Sequence, residues 1–206
     1  MRDQLMPSAT DKLFVPEIST ENWLSTSKES FFSYSEGYRQ AGESLFMELQ
    51  KCEYVYKRLL IYPMIFCYRQ FIELRLKELI FLGQRLNDLP ENFPKIHSIS
   101  NLFNEYVTNI LPKIDATHNK QLVADTKVLV NELDGYDNNS MSFRYPVLKD
   151  SSPSITLPNM DINNFKIVMD RLSNFFDRQL EIIQYSEEMK LEMIAELYSQ
   201  LRNEHY

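Results

Sequence analysis

Arg69, Glu73 and Lys77 are spaced four residues apart, so on a helix they form one row of alternating charge. Such a row is either a solvated ladder, or, because the flanking sequence is apolar over most of the helix circumference, a set of partly buried charges that need partners. His97 follows the Pro90 and Pro94 loop and precedes a helix cap, where an imidazole can transfer a proton near neutral pH or pin the loop to the backbone. Arg144 lies between Phe143 and Tyr145, where aromatic stacking can hold a planar guanidinium as an anion clamp. The alternative for Arg144 is an ion pair with Glu73, Asp134 or Asp137, and the expectation is that Arg144→Ala strands a buried carboxylate. With Ser142 and Tyr145, these residues make the chain's one polar constellation capable of holding an anion.

Other chemistries find little support. The three histidines, His97, His118 and His205, include no pair with the spacing of a helical metal site. No glycine-rich phosphate loop and no exposed-serine elbow occurs, so no metal and no cofactor is expected. Arg202 and His205 lie near one another at the chain end, where fraying makes them background. Cys52 and Cys67 stand among apolar residues at helical spacing and read as reduced core thiols.

The elements that position these residues read as helices. Only 4 glycines occur in 206 residues, too few for the turns of an all-β sandwich. Apolar residues recur every three or four positions over residues 35–60, with Ser33 and Glu36 at capping-box spacing. Pro63 suits the first turn of a second helix reaching residues 83–85. Ser98 or Ser100 caps a third helix that Pro112 brings to a close, and a fourth covers about residues 119–133. Residues 134–160 form a long loop, aromatic enough at 142–146 to be ordered and to fold back as a short hairpin. Asp161 caps a last helix that outruns the body. The expected fold is all-α, an antiparallel bundle of about five helices over residues 35–206, preceded by an arm at 1–34 that packs onto it.

The formal charge of −7 argues against coating nucleic acid or anionic membrane by charge alone. Residues 57–95 are the exception, with 7 basic and 4 acidic groups, and the final 26 residues carry 2 and 6. The run at 59–68 is interrupted by Pro63 and is too short to span a bilayer. With no basic-then-apolar leader at the start, a cytoplasmic protein without membrane contact is expected. The apolar, acidic end of the last helix suits a homodimer or a protein partner in a larger assembly.

The ordered set of Pro63, the Arg69–Glu73–Lys77 helix, His97 ahead of a helix, and Ser142-Phe143-Arg144-Tyr145-Pro146 resembles a group of bacterial HEPN-like proteins. The resemblance covers about residues 35–185. It implies a helical bundle, often dimeric, of the kind found in toxin–antitoxin and antiphage systems, many members being metal-independent ribonucleases. It also implies roles: His97 as proton donor or acceptor in attack of a ribose 2′-hydroxyl, Arg69 and Arg144 neutralising the phosphorane, and Glu73 orienting an arginine. The usual catalytic Arg followed by His after four to six residues is absent, since Lys149, Asp150 and Ser151 occupy those places after Arg144. A binding or regulatory module of such an assembly, with RNA as a candidate partner, therefore ranks first. A divergent ribonuclease and a purely structural oligomerisation subunit are the alternatives.

Overall fold

In the computed structural model, which describes residues 31–92 and 94–203, the chain is an all-α bundle of five helices. Helix α1 is Phe31–Lys51 and α2 is Tyr54–Leu86. Helix α3 starts as Ile99–Glu105, passes through a π turn at Tyr106–Ile110 and finishes as Leu111–Ile114. Helix α4 is Lys120–Tyr136, and α5 is Ile162–Asn203. No strand occurs among the described residues; the loop at 137–161 folds back on itself through a single antiparallel bridge between Val147 and Pro153, shorter than a two-stranded hairpin. Apart from 31–34, which begin α1, the arm expected at 1–34 lies outside the described residues.

Helix α2 is the axis of the bundle. From Met64 to Gly83 it buries apolar and charged side chains on all sides, against α1, α3 and α5. Tyr68, Phe71, Ile72, Leu76 and Leu79 are all inaccessible to solvent. Each such side chain contributes about 1.5–3 kcal/mol on burial, which is why this helix needs no polar face of its own. Phe103, Phe175 and Phe176 form an edge-on aromatic cluster that joins α3 to α5, and Tyr68 meets Phe165 edge-on across α2 and α5.

Several boundaries differ from the sequence expectation. The period of three to four runs unbroken through 35–60, yet the chain turns at Cys52 and Glu53, where Glu53 is extended (φ −66°, ψ 159°). The reversal packs α1 antiparallel on α2, leaving Tyr56 and Leu59 exposed although they continue the stripe. Ser33 thus lies inside α1, and Pro63 lies in the interior of α2 rather than in a first turn. Cys52 and Cys67 are free thiols that keep partial exposure, so neither is a core residue.

Pro112 does not close α3. Its ring would collide with the carbonyl four residues back in a regular α-helix, and the wider π turn makes room: the Leu111 amide bonds Tyr106 O, five residues earlier. The predicted caps at Ser98 and Asp161 hold, the first accepting from the Asn101 amide and the second from Asn163. Asn119 caps α4 through the Leu122 amide.

The π turn presses Ile110 onto Gly83. A Cβ on Gly83 would sit 2.1 Å from Ile110 Cγ2, whereas one on Gly37, in α1, would meet nothing within 4 Å. Replacing a helical glycine by alanine ordinarily stabilises by about 1 kcal/mol. Gly37→Ala is therefore expected to raise the melting temperature and Gly83→Ala to lower it, overpacking at Gly83 costing about 1–3 kcal/mol of stability. Thermal unfolding of the two variants checks the opposite signs.

Candidate functional site

The row on α2 is buried. Arg69 is 0% exposed and Glu73 1%, with Lys77 nearly as enclosed. All three guanidinium nitrogens of Arg69 are committed. Nε donates to Asp137 O at 2.8 Å, Nη1 to Glu73 Oε2 at 2.8 Å, and Nη2 to His97 O at 2.6 Å. The other Glu73 oxygen accepts from Lys77 Nζ and stands 2.9 Å from His97 Nδ1. One arginine thus clamps two loops, the one before α3 and the one after α4, onto the central helix.

Two carboxylates extend the clamp. Asp137 lies against Arg69 Nε at 3.5 Å and accepts from the amides of Met141 and Ser142, which shapes the turn that inserts Phe143 into the core. Asp134 accepts from Ser98 Oγ and the Ile99 amide, tying the end of α4 to the start of α3. Arg69 and Lys77 against Glu73 and Asp137 balance at zero net charge, the condition under which ionised groups tolerate burial.

Electrostatics follow from these contacts. Burial alone would raise the Glu73 carboxyl, but hydrogen bonds from Lys77, Arg69 and His97 outweigh it and hold the group below its ordinary value. Because an ionised Glu73 only accepts, the His97 Nδ1 carries the proton facing it, which leaves Nε2 as the free ring nitrogen. The His97 side chain is 59% exposed, so that nitrogen is within reach of solvent.

Arg144 does not join this group. It is exposed, donates to Ser140 O and the Met141 sulfur, and stacks on Phe66 and Tyr145 at 5.9 and 5.8 Å. Among the described residues it pairs with none of Glu73, Asp134 and Asp137, so the expectation that its removal strands a buried carboxylate is corrected: Arg69 has that role. Tyr145 is exposed beside it, and Ser142 serves through its backbone, the amide bonding Asp137 and the carbonyl accepting from Ser154 Oγ. His118 bonds Asp115 O near α4, away from His97, and His205 is outside the described residues.

A second buried cluster lies on the opposite side of α2. Arg75, also 0% exposed, donates to Glu78 at 2.8 Å and to Glu36, with Asp177 at 3.5 Å; Arg39 of α1 bridges Glu36 and Asp177. Phe32 and Phe71 lie over the Arg75 guanidinium. Three carboxylates share two arginines here. Burial and the neighbouring Glu36 and Asp177 accordingly push Glu78 up despite Arg75. The signal available for this cluster was Arg75 and Glu78 three apart in an apolar stretch, the same kind of signal as the Arg69 row.

No group of three His, Cys, Asp or Glu among the described residues is placed to hold a metal, and no described helix is long and apolar enough to cross a membrane. No family model, curated protein or solved structure matches the chain.

Removing Glu73 leaves Arg69 and Lys77 buried against one carboxylate. Glu73→Gln is expected to cost on the order of 3–5 kcal/mol at pH 7. The folded-state value of Glu73 is depressed, so its contribution is present above the unfolded value and lost as pH falls through the folded one. The gap between wild type and Glu73→Gln should therefore narrow below about pH 4. Denaturant unfolding across pH measures this, and Arg144→Ala in the same series should shift stability far less than Arg69→Ala.

Proposed function

We propose that this chain is a HEPN-like helical binding or regulatory module of a bacterial antiphage or toxin–antitoxin assembly, working in the cytoplasm without the usual HEPN catalysis. The observation that carries the reading is the commitment of Arg69. Arg69 is 0% exposed and each of its three nitrogens is already bonded within the protein, to Glu73, Asp137 O and His97 O, so it is not presented to a phosphorane. The assembly context rests on the ordered set from Pro63 to Pro146 described above.

Docking would use α5. Its 42 residues extend roughly 63 Å, and residues 191–202 are all exposed, with Ile194, Leu197 and Leu201 on one stripe. A contiguous apolar stripe on a projecting helix marks a protein interface, either with a partner or with a second copy.

The ribonuclease alternative draws on one observation, the carboxylate-oriented imidazole: Glu73 holds His97 Nδ1 and leaves Nε2 open, the arrangement a general base requires. The two readings separate by experiment. Purified protein should not cleave single-stranded or structured RNA in the presence of EDTA. Cleavage that disappears in His97→Ala at unchanged melting temperature would put the enzyme first. In sedimentation, the full chain should self-associate or bind its genomic neighbour's product, and truncation after Lys190 should abolish that association. A full chain that stays monomeric and binds no neighbouring product would remove the basis for α5 docking.

A further inference from the structure

Between α4, α5 and the loop that precedes α5 lies a half-open cavity of about 390 Å³. Its walls are Leu129 and Leu133 from α4, Phe165, Met169 and Leu172 from α5, and Phe143, seated by the Asp137 turn. Volume and lining fall within the range of small-molecule sites, which are mostly apolar with a few polar groups that fix orientation. An apolar cavity of about 150 Å³ holds a benzene, so this one has space for an apolar body more than twice that size.

The polar groups at the cavity define the rest of the ligand. Glu132 and Tyr136, one turn apart on α4, and Asn159 on the loop line it, and none of their side chains has a partner among the described residues. Asp161 also lines it, but its carboxylate is occupied in capping α5 through the Asn163 amide. Not one of the lining side chains is basic. A phosphate or carboxylate entering here would face two carboxylates in a partly apolar setting with no compensating cation, whereas an ammonium would meet the free Glu132.

We infer that this cavity is a binding site for a small amphipathic molecule with an aliphatic or aromatic body and a cationic amine head, the body lying among Leu133, Phe143 and Met169 and the head at Glu132. The inference is independent of whether α5 docks a partner.

Isothermal titration of the full chain with n-octylammonium, octan-1-ol and n-octanoate, all below micellar concentration, tests it. Octylammonium should bind one per chain, and octanoate about tenfold or more weaker, a ratio equivalent to 1.4 kcal/mol. Glu132→Gln, an exposed change, should bring octylammonium down to the affinity of octanol at unchanged melting temperature. Leu133→Trp, folded by circular dichroism, should abolish binding of all three. Equal binding of the ammonium and the carboxylate, no binding by octylammonium, an unchanged ratio in Glu132→Gln, or full binding by folded Leu133→Trp would each overturn the site. If Leu133→Trp does not fold, the Glu132→Gln ratio decides.

Discussion

The fold depends on putting charge inside a helix that is surrounded on all sides. Arg69 and Arg75 are both 0% exposed on α2, and each would cost several kcal/mol if buried alone. The chain meets that cost in two ways. Around Arg69 the charge balance is complete, two cations against two carboxylates, with two backbone carbonyls also accepting from the guanidinium. Around Arg75 it is over-complete in acid, and burial with the neighbouring carboxylates pushes Glu78 up. Hydrophobic residues of similar volume would serve stability as well or better. What the charges add is direction, because an arginine with three committed nitrogens accepts only one arrangement of the segments that supply its partners.

That direction shows in which segments each cluster joins. Arg75 fastens elements that already pack as helices: α1 through Glu36, α5 through Asp177. Arg69 fastens irregular backbone, the carbonyls of His97 and Asp137, for which no helix periodicity specifies a position. A loop of more than twenty residues between α4 and α5 would lose much conformational entropy on ordering. Asp137 reduces the number of independent choices: once Arg69 holds its carbonyl, its carboxylate receives the Met141 and Ser142 amides, and Phe143 is carried into the core. The wall of the α4–α5 cavity is thus set from the far side of the core, by a residue that does not line it.

Sequence carried the helices well and their junctions poorly. The stripe of α5, with Leu172, Phe176, Leu180 and Ile183 buried, and the caps at Ser98 and Asp161 could be read because each is a local pattern with a local cause. The α1–α2 turn at Cys52 and Glu53 could not, since neither residue is a breaker and the apolar period continues through it; the close packing that follows, with Gly42 of α1 against the Tyr68 ring, joins residues far apart in sequence. Pro112 misled for the opposite reason: a strong local stop was overridden by a π turn whose Tyr106 side chain is fixed by Gln179 of α5. In the candidate site, the row of Arg69, Glu73 and Lys77 with His97 and Asp137 was visible as types at spacings. Which arginine would be the buried one was not visible, because Arg144 in an aromatic loop and Arg69 on an apolar helix both read as candidates until tertiary packing exposes one and encloses the other.

The projecting end of α5 follows from the same accounting applied to a helix without a core. Its last contacts with the body are polar, Glu187 with Arg85 and Lys190 with Asp88 and Leu86 O. Residues 191–202 are all exposed, so tertiary packing contributes little to helix formation there. A dozen largely exposed residues are marginal as an isolated helix in water, although here propagation from the preceding turns removes the nucleation cost. The sequence of this stretch, with Leu, Glu, Ala and Gln among its residues and no Gly or Pro, favours helix. Ile194, Leu197 and Leu201 are unnecessary for that purpose, since polar helix formers would serve as well and would stay solvated at lower cost. Local helix propensity therefore explains why α5 continues past the body but not why the continuation is apolar on one stripe.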